Sequence, residues 1–309
     1  MKQWALILLA VSSLVLTACG GAPAAQNSAA QSYATITDDS GRTVTFDKKP
    51  ERIVVTSASF IAPLYAVGGE VVGRPATKSK VIPAAEGAAT IGPVYQIDAE
   101  KILALSPDLV IINKGMNEKL IETLAANNIQ TLVIEMKSYE DVKREVTTFA
   151  ALTGEKAKGE ELIAKMDADI DAVRASIPQE KKRISIIHST GQGLSVQLDG
   201  SIAGSIAKML GWENTASGMP ALDKNPDAAP YSMETLVAQN PDIIFVTSMG
   251  EEAEIRASME QMFAESPAWQ SVAAVREGRV YYLPQELFLF SPGIEYPAAV
   301  KYMARLIYP

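Results

Sequence analysis

The chain has 309 residues, of which 48 % are hydrophobic, with a formal net charge of -8. That length and apolar content can supply two domain cores, and the acidic balance argues against nucleic acid or an anionic membrane surface as the main partner. One cysteine, Cys19, and one histidine, His188, leave no internal disulfide framework, no zinc–cysteine site and no multi-imidazole metal site.

Residues 1–19 read as a targeting segment: Lys2 gives a positive start, and Trp4 to Leu16 is an apolar run too short for a comfortable membrane span. The run ends Leu16-Thr17-Ala18-Cys19-Gly20, which resembles a bacterial lipobox and implies that Cys19 becomes the lipidated N-terminus. Residues 20–33, rich in Gly, Ala, Gln and Ser, are expected to form a flexible tether. Thr35 to Phe46 alternates around Asp39-Ser40-Gly41 and predicts a small hairpin. From Arg52 an α/β pattern takes over, with strand Ile53 to Val55, a Ser-rich turn, a helix through Leu64, Tyr65 and Val67, and a short strand Val71-Val72. Gly73-Arg74-Pro75 reads as a loop, and Lys78 to Tyr95 as irregular. Strands at Leu109 to Ile112 and Thr131 to Ile134 flank a helix from Glu118 to Ala126, and Ser138 with Asp141 has the spacing of a helix cap.

Glu155 to Ile177 carries an uninterrupted apolar stripe, Leu162, Ile163, Met166, Ile170, Val173 and Ile177, between Gly154 and Pro178. The pattern predicts one amphipathic helix, and what flanks it suggests a strut between two lobes. Ala99 to Ile112, a short helix, Ser-Pro-Asp and an apolar strand, returns as Met233 to Val246 with Asn-Pro-Asp at an offset of 134 residues, 234 minus 100. Arg52-Ile53-Val54-Val55 likewise resembles Arg183-Ile184-Ser185-Ile186-Ile187, which leads to His188. The second half is expected to repeat the order of the first, closing with strand Arg279 to Leu283, a loop from Pro284 to Pro292 and helix Ala298 to Leu306. The expected domains are therefore 34–153, a bridging helix 154–178 and 179–309.

No G-x-S-x-G elbow, P-loop, G-x-G-x-x-G fingerprint or H-E-x-x-H helix is present. A hydrolase resting on His188 beside Ser189 is a weaker alternative, because side chains on adjacent strand residues diverge. A lipoprotein that only scaffolds or senses is a third class.

The paired cassette, the lipobox-like segment and the long central helix resemble periplasmic binding proteins of the iron-siderophore, haem and cobalamin class, which serve ABC importers, over residues 52–309. The resemblance implies two α/β lobes with a ligand cleft between them, no enzymatic activity and no resident cofactor. It implies lipid anchoring at the extracytoplasmic face of the cell membrane or in the periplasm, and a permease with its ATPase as partners of a monomer. Glu100 and Glu234, each opening the helix of its cassette, take the place of the family's permease-docking glutamates. The late stretch Leu287 to Gly293 and the ending Leu306-Ile307-Tyr308-Pro309 also match, but Ile294 and Glu295 stand where many members carry a basic residue. Cleft candidates from the strand ends and late loop are Ser57, Ser59, Arg74, Tyr95, Lys114, His188, Tyr231, Phe288 and Phe290. A ferric siderophore, already coordinated, needs aromatic walls and a few cations such as Arg74 and Lys114. Haem would use Tyr95 or His188 as axial ligand, and cobalamin is a further alternative.

Overall fold

A computed structural model describes residues 32–77 and 81–309. The signal segment, Cys19 and most of the tether lie outside the described residues. A hairpin of β1 (Ala34–Thr37) and β2 (Thr43–Phe46) precedes the first lobe. That lobe runs β3 (Ile53–Val55), α1 (Ile61–Ala66), β4 (Val71–Ala76), β5 (Ala89–Pro93), α2 (Ala99–Ala104), β6 (Leu109–Asn113), α3 (Leu120–Ala126), β7 (Gln130–Ile134) and α4 (Tyr139–Thr153). Its strands are all parallel, in the order β5-β4-β3-β6-β7, so the winding reverses between β3 and β6.

Helix α5 (Lys156–Ser176) leads into β8 (Arg183–Thr190), β9 (Gly193–Gln197), α6 (Ile202–Met209), β10 (Glu213–Asn214), β11 (Ala228–Pro230), α7 (Met233–Gln239) and β12 (Ile243–Met249). Then come α8 (Glu252–Glu265), α9 (Pro267–Ser271), α10 (Ala273–Arg276), β13 (Val280–Tyr282), α11 (Gln285–Phe288) and α12 (Tyr296–Ile307). The second sheet has the order β11-β9-β8-β12-β13, with β10 beside the start of β8. Here β8, β12 and β13 are parallel, whereas β9 runs antiparallel to β8 and β11 antiparallel to β9.

Five sequence expectations change. The stretch Gly73-Arg74-Pro75 is not a loop but part of β4. Gly73 has no Cβ because one would lie 2.6 Å from Leu105 Cδ1, and Pro75 sits where the register shifts between Arg74 and Ala76, a place where a missing N–H is tolerated. The irregular stretch from Lys78 to Tyr95 contains β5, an edge strand whose single buried residue, Ile91, leaves no alternation to read. His188 does not follow a strand but lies inside β8, because Gly191-Gln192 turns that strand into antiparallel β9. The second lobe therefore does not repeat the order of the first, and its late loop carries α11.

The repeated Pro-Asp is explained by what it does. Ser106 and Asn240, with φ of 46 and 42, turn the chain out of α2 and α7 in the left-handed region, since a following proline disfavours continued helix. The next aspartate then pins the start of the neighbouring strand. Asp108 accepts from Glu51 N–H and Arg52 N–H at 2.9 Å each, and Asp242 from Arg183 N–H at 3.0 Å.

One buried apolar cluster underlies both sheets, instead of two separate cores. It includes Val55 and Ile111 of the first sheet, Ile186 and Phe245 of the second, Phe149 of α4, Met166 and Ile170 of α5, and Val300 and Met303 of α12. Each sheet has its own cluster on the other face, around Ile102 and Leu124 in the first lobe and around Leu236 and Trp269 in the second. The α5 stripe performs as its spacing requires: Met166, Ile170 and Ile177 are buried, and Leu162, Ile163 and Val173 pack at the margin. Gly159 lets α5 approach α4 closely, since a Cβ there would lie 2.6 Å from Ala150 Cβ. Helix α4 opens with the capping box of Ser138 and Asp141 and ends at Gly154, whose φ of 77 only glycine adopts freely.

One charged residue is enclosed in this helix layer. Glu145 of α4 is 1 % exposed. Burial, with the Asp39 carboxylate beside it as a hydrogen-bond partner, pushes its pKa up to about 10. Arg144 is engaged by Asp39 at 3.0 Å and Asp141 at 2.8 Å, and its Nε stays 3.8 Å from Glu145. Glu145 is thus the protonated member of a carboxylic acid–carboxylate pair. Its folded pKa lies above the unfolded value, so its favourable contribution is complete below the ordinary carboxyl range and is lost as pH rises toward about 10. Glu145→Gln keeps the donor and removes the titration. The variant should gain about 1–3 kcal/mol in urea unfolding near neutral pH and lose the alkaline decline of the wild type; an unchanged pH slope would contradict the assignment.

Candidate ligand-binding crevice

In open α/β sheets the crevice at the carboxyl ends of the strands, where the winding reverses, is the place built to hold a ligand. The first lobe has this point between β3 and β6. Beyond their last pair, Thr56 N–H donates to Ile111 O at 2.9 Å and Thr56 Oγ1 accepts from Asn113 N–H at 2.8 Å. Ser57 then caps a short turn, its Oγ accepting from Ser59 N–H at 3.3 Å. Both serines are half-buried.

The second lobe has the corresponding point between β8 and β12. Ile53 pairs with Leu109 as Ile184 pairs with Ile243, so His188, four residues beyond Ile184, stands where Ser57 stands in the first lobe. Its Nδ1 lies 3.0 Å from Thr247 Oγ1, which itself donates to Ile187 O at 3.5 Å. With the hydroxyl proton directed to Ile187 O, the hydroxyl accepts from Nδ1–H and Nε2 keeps its lone pair. Burial holds the imidazole pKa below its usual value, so the ring is neutral at neutral pH.

Four large apolar side chains stand exposed, Met249 at 55 % as the last residue of β12, and Tyr95 at 75 %, Met116 at 48 % and Phe290 at 48 % on loops. Such groups left to water around a crevice are the expected walls of a ligand site. Tyr95 follows a tight turn at Gly92, whose φ is 102 and where a Cβ would meet Gln96 O at 2.5 Å. Buried Asn117 fixes that turn by donating to Val94 O at 2.9 Å. The late loop reaches across the lobe boundary. A Cβ on Gly293 would lie 3.4 Å from both Ser59 O and Pro63 Cγ, and Gln285 ties the loop to the end of β12 through Ser248 Oγ at 3.2 Å and Gly250 O at 2.8 Å. Met116 and Met249 escaped the sequence reading because an isolated methionine carries no periodic signal.

Two lysines at the strand ends of the first lobe are already paired. Lys114 Nζ lies 2.9 Å from Glu135, Lys137 Nζ lies 3.2 Å from the same carboxylate, and Lys137 also reaches Asp227 of the second lobe at 2.9 Å. Burial works to raise the Glu135 carboxyl, but hydrogen bonds from the two lysines overcome it and hold the pKa below the ordinary value. Burial likewise opposes the charge on Lys137, and its bonds to Asp227 and Glu135 restore it. The four groups form one chain of alternating sign across the lobe boundary, of which sequence spacing gave no sign.

Three sequence candidates are engaged elsewhere. Arg74 donates from Nε to Ala85 O at 3.0 Å and from Nη2 to Glu86 O at 3.3 Å, so its guanidinium fastens the segment before β5. Tyr231 stacks on Trp269 with ring centroids 5.9 Å apart, its OH facing Met233 Sδ at 3.7 Å, and burial pushes its pKa up to about 12. Phe288 is 2 % exposed and packs against Tyr302 of α12, which makes it a core residue and not a cleft wall. The apolar late loop divides its aromatics between the core, Phe288, and water, Phe290. A groove of about 860 Å³ between α5 and α12, floored by Leu162, Met166 and Ile294, lies away from the strand ends.

Glu100 and Glu234 occupy matching places. Both are exposed in the first turn of α2 and α7, helices that follow β5 and β11. Capping is done by other residues. Asp98 accepts from Glu100 N–H and Lys101 N–H, and Ser232 accepts from Thr235 N–H. Neither glutamate side chain has a partner among the described residues, so each carboxylate is presented outward from a helix N-terminus that favours its charge. No helix among the described residues is long and apolar enough to cross a membrane, and none of their His, Cys, Asp and Glu side chains gather in threes to hold a metal ion.

Residues 53–287, most of the chain, match the family model described as periplasmic binding protein. The chain is a member of that family. Among its relatives are the Fe(3+)-citrate-binding protein YfmC of Bacillus subtilis, 25 % identical over 96 % of this chain and 95 % of that protein. The iron(3+)-hydroxamate-binding protein FhuD of the same organism is 27 % identical over 97 % of this chain and 94 % of its own length. Among solved structures, IsdE of Staphylococcus aureus complexed with heme superposes with a TM-score of 0.72 at 20 % identity, over 84 % of this chain and 99 % of that one, a likeness of fold. This periplasmic binding protein thus has the two-lobed α/β architecture of its family, with one switch point per lobe.

Proposed function

We propose that this protein captures a ferric siderophore in the crevice between its lobes and delivers it to the permease of an ABC importer. The observation that carries the reading is the duplication of parts. Each lobe presents one switch point, lined by Ser57 and Ser59 in the first and by His188 with Thr247 in the second, and one outward glutamate on a separately capped helix. Tyr95, Met116, Met249 and Phe290 offer the broad apolar contact that a fully coordinated complex needs. Relatives named for iron(3+) complexes support the iron. Haem is the second reading, favoured by one feature: His188 is neutral, with Nε2 free to act as an axial ligand.

Membership of a binding-protein family, with relatives named for the iron complexes they bind, supports binding without turnover. Ser189 is buried within β8 and sends its side chain to the face opposite His188, so no hydroxyl nucleophile stands beside the imidazole on that strand. The protein serves as a monomer held to the membrane by lipid on Cys19.

Titration of the purified protein with ferric siderophores and with hemin, followed by tyrosine and tryptophan fluorescence and by the Soret band, tests the ligand. Saturable quenching by a ferric siderophore, with the complex recovered intact, is expected. A Soret shift abolished by His188→Ala or Tyr95→Phe would install haem instead.

Glu100→Lys or Glu234→Lys should lower iron uptake by cells about tenfold or more, because truncating or reversing a docking charge removes a charge-assisted contact, while ligand affinity in the purified protein changes less than about twofold. Loss of affinity in step with uptake would remove the glutamates from the docking surface.

Cys19→Ala should leave an uncleaved precursor or release the protein from the membrane fraction. Normal acylation of that variant would sink the lipid anchor.

A further inference from the structure

The strand-end loops hold no free positive charge for a ligand among the described residues of the first lobe's switch point. Lys114 is 2.9 Å from Glu135, and Lys137 is shared between Glu135 at 3.2 Å and Asp227 at 2.9 Å, so two cations face two anions. The guanidinium of Arg74 is spent on backbone carbonyls. On the second lobe the loops after β12 and β13 carry Glu251, Glu252 and Glu286 with no lysine or arginine until Arg256, which lies over the Tyr282 ring at 4.0 Å. Lys78 and Lys80 lie outside the described residues.

An anionic ligand entering such a crevice must either break the Lys114–Glu135–Lys137–Asp227 chain, leaving carboxylates unpaired beside it, or sit against uncompensated acid. A complex with no net negative charge meets neither cost. Ferric iron bound by three hydroxamates is neutral, or cationic when the backbone carries an amine. Bound by three catecholates it is triply anionic. The apolar side chains around the crevice suit the first kind, since they replace water around an uncharged shell without stripping ions. We propose that the ligand is a neutral or cationic ferric tris-hydroxamate, and that the four-residue ion-pair chain is the device that rejects anionic iron complexes.

This inference rests on the reading of the chain as an iron-complex-binding protein, and one experiment separates the two. The full chain, purified in mild detergent, is titrated at low and at physiological salt with ferrichrome as the neutral probe, ferrioxamine B as the cationic probe, and ferric enterobactin and ferric citrate as anionic probes. The Trp212 and Trp269 signal reports binding. The hydroxamates are expected to bind at least about tenfold tighter than either anionic complex, with the gap narrowing as salt rises. Glu135→Gln, which frees Lys114, and separately Asp227→Asn, which leaves the chain one positive charge in excess, should each tighten ferric enterobactin about tenfold while leaving ferrichrome within about twofold. Circular dichroism melting verifies that each variant is folded, and either of the two is sufficient for the test. Equal or tighter binding of an anionic probe by the wild type, or no gain in the folded variants, overturns the charge selection and leaves iron-complex binding intact. Silence toward every ferric probe overturns the underlying reading and the inference with it.

Discussion

Everything in this molecule depends on one uninterrupted apolar layer beneath both sheets. The inner faces of the two lobes do not close on separate cores. They share one, filled by α4, α5 and α12, with Met166, Ile170, Val300 and Met303 at its centre. Splitting the lobes apart would expose this layer to water at roughly 25 cal/mol per Å² of apolar surface. The shared core therefore opposes wide separation of the lobes. Gly159 makes the layer thin enough, by letting α5 rest on α4 at Ala150.

The same cassette is built twice on this base and used differently. In both lobes an aspartate after proline fastens the start of the central strand, at Asp108 and at Asp242, and in both a side chain links the two strands at the switch point. What differs is the neighbour on the far side. β3 is flanked by parallel β4, which takes a crossover helix to reach, whereas β8 turns back on itself at Gly191-Gln192 into β9. That hairpin keeps β8 in the sheet through Thr190 and brings His188 into the ladder. Its ring is thereby held by Thr247 and kept neutral, in a place where the first lobe ends its strand and offers the small hydroxyl of Ser57.

Electrostatics at the lobe boundary follow from which carboxylates the fold delivers there. Glu135 arrives from the end of β7, Lys114 from the end of β6 and Asp227 from the segment before β11, and Lys137 joins them. Half-burial makes each charge costly alone and the alternating chain acceptable. Among the described residues Lys114 and Lys137 are thus already neutralised, and the contact left for a ligand beside them is mainly apolar.

The sequence by itself determined the parts that repeat or alternate. The α5 stripe, the paired Pro-Asp cassette and the caps at Ser138 and Gly154 are local patterns, set by periodicity and by what proline, glycine and aspartate do to the backbone near them. The matching positions of Glu100 and Glu234 were legible for the same reason, since their equivalence lies in the chain. Only the tertiary structure decided which side chains were free to act. Arg74 and Phe288 had the right composition for a cleft, but one is tied to carbonyls twelve or fewer residues away and the other turns into the core. Met116, Met249 and the partnership of Lys137 with Asp227, 90 residues apart, have no periodic signature. A long-range contact is chosen by how sheets and helices pack, and no local pattern of residues records that choice.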